Sequence, residues 1–154
     1  MLIRKASLDD IASMHEIMTV LARKSIAPTL TTKGQENLLA SFTIETIKNN
    51  ITGNVQYFLS ELDLQIVGLI GIKNNDHLYH LFVKTEYQNR GIATKLWHVA
   101  KAHCINAGNK GRFTVNASVN SKNMYEKLGF YETAEIMDKN GITFIPMENT
   151  FEDN

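Results

Sequence analysis

The stretch Leu81-Phe82-Val83-Lys84-Thr85-Glu86-Tyr87-Gln88-Asn89-Arg90-Gly91-Ile92-Ala93-Thr94 holds the residue types best suited to chemistry. An apolar strand runs into a turn and then into a helix whose first turn carries Gly91 and Ala93. The first amides of a helix have no partner inside it, and the positive end of the helix dipole lies there. Small side chains let an anion approach those amides, and Arg90 adds charge, so the pattern suits a pyrophosphate. Gly91 and Ala93 would equally permit tight helix–sheet packing, and spacing alone leaves both readings open. The stretch is neither G-x-x-x-x-G-K-[ST] nor G-x-G-x-x-G, which removes support from a nucleoside triphosphatase or a dinucleotide oxidoreductase. The closest histidine pairs, His77/His80 and His98/His103, lack a third ligand nearby, so no metal site is expected. Cys104 falls on an apolar helical stripe far from any His–Asp pattern and reads as buried packing rather than a nucleophile. Trp97 reads as core.

The elements that must position this segment follow from hydrophobic periodicity. Leu2–Ala6 reads as a strand, and Ser7-Leu8-Asp9-Asp10 as a helix start with a capping-box acid. Ile11, Met14, Met18 and Leu21 give the following helix one apolar face. Ala27–Lys33 reads as a loop, and a second helical stretch covers roughly Gln35 to Asn50, with Thr43 able to cap its later part. Val55–Glu61, Leu64–Lys73 and His77–Val83 read as strands joined by short turns. Gly91–Ala107 is a helix closed by Gly108. Phe113–Ala117 is a strand, Ser121–Leu128 a short helix, and Phe130–Ile136 with Ile142–Met147 a hairpin around Asn140-Gly141. The strand–helix–strand unit from His77 to Ala117 is long enough for a right-handed parallel crossover. An α/β (α+β) fold is therefore expected. Its mixed central sheet should be mostly antiparallel, with one parallel pair and flanking helices. Strand alternation places His77, Tyr79 and Leu81 on one face, and His80 with Phe82 on the other.

Length and composition set the bounds. The 154 residues suit a single domain spanning 1–154. Sixteen basic residues balance sixteen acidic ones, which argues against a protein devoted to nucleic acid. A lone cysteine excludes an internal disulfide. No apolar run is long enough for a membrane span. The opening MLIRKASLDD turns acidic too early for a signal peptide, so a cytoplasmic location is expected.

Gln88-Asn89-Arg90-Gly91-Ile92-Ala93 matches the Q/R-x-x-G-x-G/A signature of the GCN5-related N-acetyltransferases, which the chain resembles over nearly its whole length. A second match is Asn123-Met124-Tyr125-Glu126-Lys127-Leu128-Gly129-Phe130, similar to that family's late Y-E-K-L-G-F segment. The resemblance implies an acetyl-CoA-dependent N-acetyltransferase whose two central parallel strands splay apart. It places the pantetheine arm along the backbone of Leu81, Phe82 and Val83. The pyrophosphate would lie on amides of Gln88, Asn89, Arg90, Gly91, Ile92, Ala93 and Thr94. An amine would attack the thioester directly in a ternary complex. Tyr125 takes the family's general-acid position, and a phenol can protonate a departing thiolate. Counting back from Gln88, His77 falls where some members carry a glutamate base, and a histidine suits proton uptake near neutrality. Glu61, His80 and Glu132 are rivals, and a water relay with no single base is a further option. Many members carry an asparagine seven residues before the tyrosine. Here Ser118 stands there as a cofactor contact, and Asn116 or Asn120 could substitute. The acceptor pocket is implied around Met14 to Phe42, where His15, Glu16, Arg23, Lys24, Lys33 and Glu36 give no clear charge sign. A small-molecule amine is favoured slightly over a protein amine. The last hairpin could border that pocket or form a homodimer edge. The alternatives are a non-catalytic CoA-binding sensor or interaction module, and transfer of a longer acyl group.

Overall fold

The structure is a computed structural model that describes residues 1–151; residues 152–154 of the expected domain lie outside the described part. Strand β1 (Leu2–Lys5) leads through a short 3-10 turn at Leu8–Asp10 into helix α1 (Ile11–Leu21). The helix start is held as its sequence suggests, the Asp10 carboxylate accepting from the Ser7 amide at 2.8 Å. Helix α1 runs on into a π-helical turn, Ala22–Ile26, and a 3-10 turn, Ala27–Thr29. The expected helix from Gln35 to Asn50 is two helices, α2 (Thr32–Ala40) and α3 (Ile44–Thr52). The break has a local cause. Thr31 and Thr43 both take extended backbone and cap the two helices, their hydroxyls accepting from the Gly34 and Thr46 amides.

Three antiparallel strands follow, β2 (Val55–Leu62), β3 (Gln65–Lys73) and β4 (His77–Val83). Helix α4 (Ile92–Asn106) crosses over to β5 (Arg112–Ala117), and helix α5 (Lys122–Lys127) leads to the last strands. The expected strand Phe130–Ile136 is only β6 (Tyr131–Glu132); β7 (Met137–Lys139) turns through Asn140-Gly141 into β8 (Ile142–Thr150). Asn140 and Gly141 both have positive φ, 56° and 81°, as the tight hairpin requires.

The sheet order is β1-β2-β3-β4-β5-β8-β6, with β7 on β8. Its one parallel junction, β4 with β5, is two residue pairs long: His77 with Thr114 and Leu78 with Val115. Beyond Leu78 the strands part. The fold is therefore the expected mixed sheet with one splayed parallel pair.

Helices cover both faces. One core gathers Leu96, Trp97, Ala100 and Cys104 of α4 with Phe113, Val115 and Tyr125; the other gathers Met14, Met18, Leu38 and Ile47 against Tyr57, Leu59 and Leu69. Trp97 and Cys104 are buried core, and burial pushes the Cys104 thiol up to about 11, which removes it as a nucleophile at neutral pH.

Strand β4 departs from simple alternation. Ile72 pairs with Leu78 but Gly71 pairs with His80, so Tyr79 is an extra residue in a β-bulge. The bulge inverts the parity of everything after it. Leu81 and Val83 join Leu78 in the α4-side core, whereas Phe82 packs with the α1–α3 side. The expected grouping of His77, Tyr79 and Leu81 on one face is thereby corrected. The rings of His77, Tyr79, His80 and Phe82 instead follow one another, with successive centroids 6.4, 4.1 and 6.0 Å apart.

Candidate active site

Where β4 and β5 diverge, a cavity of about 1200 Å3 opens across the sheet. Single-ligand pockets run to roughly 1,000 Å3, so this one has room for two substrates together. On one side lie the splayed strands, the start of α4, and α5. On the other lie the π-helical turn, α2, and the β7–β8 hairpin. Open α/β sheets bind ligands in the crevice where neighbouring strands part, and here the splay leaves β4 beyond Leu78 without β5 as a partner.

Leu81, Phe82 and Val83 line the cavity on the edge that β5 has left. Gln88 stabilises the turn beyond them, its side-chain amide donating to the Val83 carbonyl at 2.9 Å. Asn89 and Gly91 both take left-handed backbone, with φ of 63° and 79°. Gly91 is the N-cap of α4 and brings no capping side chain, and the Ile92, Ala93 and Thr94 amides have no hydrogen-bond partner among the described residues. A Cβ at Gly91 would meet no atom within 4 Å, so space stands open above these amides. Unpaired helix-start donors facing a cavity are a site for an anion. Gln88, Asn89, Gly91, Ile92, Ala93 and Thr94 all line it. Arg90 does not: its guanidinium lies over the Tyr87 ring, 5.3 Å from the centroid.

Tyr125 projects from α5 into the cavity, 6% exposed and edge-on to Phe130 at 5.7 Å. Its hydroxyl bonds none of the described residues and is not sealed from solvent. Burial pushes the phenol well above its ordinary range. Ser118 also lines the cavity, its hydroxyl 2.6 Å from that of Ser121. Asn120 reaches across the gap, its amide donating to the Ser25 carbonyl of the π-helical turn at 2.9 Å. Lys24, on the same turn, donates to Thr85 Oγ1 at 3.1 Å.

The two cavity histidines differ in kind. His77 is half-buried at the vertex of the splay, with Nδ1 2.7 Å from Thr114 Oγ1. Burial, aided by Lys73, lowers its pKa despite Asp76. His80 is buried, and its Nδ1 lies 2.8 Å from the Tyr57 hydroxyl. Asn50 donates to that hydroxyl at 3.3 Å, which leaves the phenol proton for Nδ1. The hydrogen-bond chain therefore places the His80 proton on Nε2. Desolvation brings His80 down to about 3. Both facts count against it as a base. Gly71 makes the arrangement possible, because a Cβ there would stand 2.5 Å from the Tyr57 ring.

The remaining rivals lie elsewhere. Glu61 is paired with Arg4, and Glu132 with Lys122; neither lines the cavity. Of the charged residues expected around the acceptor, only Lys24 does; His15, Glu16, Arg23, Lys33 and Glu36 do not. Sequence reasoning missed Phe42, Asn50 and Tyr57, whose roles arise from contacts far apart in the chain and leave no local signal. Among the described residues no group of three His, Cys, Asp or Glu could hold a metal ion, and no helix is long and apolar enough to cross a membrane.

Set beside known proteins, this architecture has a clear relationship. The family model for an acetyltransferase (GNAT) domain matches residues 26–151. The chain belongs to this family of acetyltransferases. No significant match is found among curated proteins. A GCN5-related N-acetyltransferase from Rhodopseudomonas palustris superposes with a TM-score of 0.82 at 21% identity, over 97% of this chain and 95% of that one. The PaiA N-acetyltransferase from Thermoplasma acidophilum, in complex with coenzyme A, gives 0.77 at 20% identity, over 97% and 98%. An aminoglycoside 6'-N-acetyltransferase complexed with coenzyme A gives 0.71 at 13% identity, over 97% of each chain. At these identities the superpositions establish the shared fold.

Proposed function

We propose that this protein transfers an acetyl group from acetyl-CoA to a primary amine by direct attack in a ternary complex. One observation carries the reading. The β4 edge loses its partner after Leu78, and within one cavity it meets both the unpaired amides at the start of α4 and the open hydroxyl of Tyr125. That combination suits a long, extended ligand with a phosphate at one end and a thioester at the other. Coenzyme A complexes of two proteins with this fold support the choice.

Acetyl-CoA supplies an acetyl group already activated as a thioester. The exposed edge at Leu81–Val83 pairs with the amides of the donor's arm as an added strand would. The Ile92, Ala93 and Thr94 amides bind the pyrophosphate, assisted by the helix dipole. Ser118 offers a further hydroxyl to the donor. In the transfer a C–N bond forms and the C–S bond breaks; the amine gives up a proton and the leaving sulfur gains one. With His77 Nδ1 donating to Thr114, its Nε2 carries a free lone pair and accepts the amine's proton. The Tyr125 hydroxyl donates to the sulfur. Residues 1–154 act as one domain in this reading, and a neutral, cytoplasmic enzyme fits it.

The test is the thermal midpoint with and without acetyl-CoA, followed by thiol release in the presence of amines. Ligand at 100 times its dissociation constant adds about 2.7 kcal/mol of stability. No shift at millimolar acetyl-CoA would overturn the reading. A shift without transfer to any amine would favour a CoA-binding sensor.

A further inference from the structure

The acceptor half of the cavity has a composition of its own. Its wall on β4 is a run of rings: Tyr79 stacks on His80 at 4.1 Å, and Phe42 meets His80 edge-on at 5.4 Å and Phe82 at 6.0 Å. Phe144 and Ile142 of β8 line the opposite side. This second wall is held in place. The Asn37 amide donates to the Asn140 carbonyl at 2.8 Å, and Gly34 of α2 packs directly on the Gly141 backbone, where a Cβ would collide.

Charge is one-sided. On this side the charged residues lining the cavity are Lys24 and Lys139, both exposed at its rim, and no aspartate or glutamate lines the cavity among the described residues. An acceptor with a second ammonium would enter without a counter-ion and beside cations, giving up hydration that no carboxylate of the cavity replaces. A polar group on the floor is His80 Nε2. It has no partner among the described residues, is not sealed, and on the tautomer fixed by Tyr57 it is a donor. Such a group receives an oxygen or a ring face, not a cation.

We infer that this half of the cavity selects a primary amine with an aromatic or bulky apolar body and no second positive charge. Polyamines and aminoglycosides are poor acceptors on this reading. The inference rests on the acetyltransferase reading above.

The experiment measures kcat/KM by thiol release from acetyl-CoA with 2-phenylethylamine, phenylalanine, spermidine and a deoxystreptamine aminoglycoside. Acetyl-CoA binding is followed in parallel by thermal shift. The expected result is a kcat/KM for one of the two aromatic amines about 100-fold or more above that for spermidine, the scale set by a buried unpaired polar group. Phe144→Ala should raise KM for that amine about tenfold with a smaller change in kcat. Phe42→Leu, which keeps most of the core volume, should do the same more weakly, and neither should alter the acetyl-CoA shift. Lys139→Glu, on the exposed hairpin, should raise kcat/KM for spermidine at least fivefold. Equal or better use of spermidine or the aminoglycoside by the native protein overturns the inference. So does failure of both aromatic amines while acetyl-CoA still binds. Absence of the acetyl-CoA shift is a different result, because it removes the acetyltransferase reading itself.

Discussion

Burial holds the Tyr125 phenol protonated well above its ordinary range, so near neutral pH it carries its proton and does not act as a base. Its hydroxyl also has no competing partner among the described residues, which leaves the proton available to a ligand. Tyr125→Phe keeps the ring and its edge-on contact with Phe130 and removes only that proton. Turnover should fall about 100-fold, the usual scale for loss of a general acid, while the acetyl-CoA thermal shift stays near the native value. Unchanged turnover would reduce Tyr125 to a packing residue. His77 makes the complementary case. Its lowered pKa keeps the ring neutral below the ordinary value of 6.5, so it remains able to accept a proton in mildly acidic solution. Besides the acceptor's own ammonium ionisation, the kcat/KM profile should therefore show an enzyme group below 6.5 that disappears in His77→Gln. Absence of such a group from the native profile, or its persistence in the variant, would assign the proton uptake to another group or to water.

Helix α2 and the β7–β8 hairpin meet through two glycines, and their contact makes a prediction opposite to helix propensity. Gly34 lies inside α2, where alanine would ordinarily add about 1 kcal/mol of stability. Here a Cβ would collide with the Gly141 carbonyl, so Gly34→Ala should instead lower stability by about 1–3 kcal/mol, the range for overpacking. Urea unfolding decides the sign, and a stabilised variant would mean the hairpin does not rest on α2. Gly91 is the contrasting position, since nothing crowds its Cβ but its φ is positive. Gly91→Glu should therefore fold, with a loss of about 1 kcal/mol, and still lose at least tenfold in acetyl-CoA affinity, read by thermal shift, because its carboxylate enters the anion site. These contrasts show what the sequence made legible. Gly91 and Tyr125 sit in local motifs, and the crossover between β4 and β5 follows from element order, so the elements that meet at the splay could be read in advance. The β-bulge at Tyr79 could not, because one extra residue in a strand leaves the hydrophobic pattern almost unaltered while reversing every later side chain. The gap between α2 and α3 was hidden for a similar reason: apolar spacing continues across Phe42, and only the cap at Thr43 marks the break. The cavity wall of Phe42 and the hairpin, with Tyr57 behind His80, depends on segments meeting across the fold, which no local pattern encodes.

The sheet is open at the end away from the splay, and its edge strand β1 is anchored by charge as well as by pairing with β2. Arg4 donates to both Asp10 oxygens at 2.8 Å and to Glu61 at 2.7 Å, joining the first strand, the start of α1 and β2 at one point. Asp10 is nearly buried, its side chain 12% exposed, and it also accepts from the Ser7 amide. The Arg4 guanidinium, with that amide, holds the carboxyl at about 2, against an ordinary 3.8. A carboxylate whose pKa is depressed on folding stabilises the protein above its unfolded pKa, and that stability is lost as pH falls through the folded value. The window here runs from about pH 4 down to about pH 2. Because Arg4 is partly open to solvent, the contribution is on the order of 1 kcal/mol, below the full linkage value. Asp10→Asn keeps the shape and removes the titration. Unfolding free energies of the two proteins should therefore differ most at pH 5, and the gap should shrink by about 1 kcal/mol by pH 2. A gap that stays constant over that range would show that Asp10 titrates alike in the folded and unfolded chains. The anchor would then hold β1 by shape and not by charge.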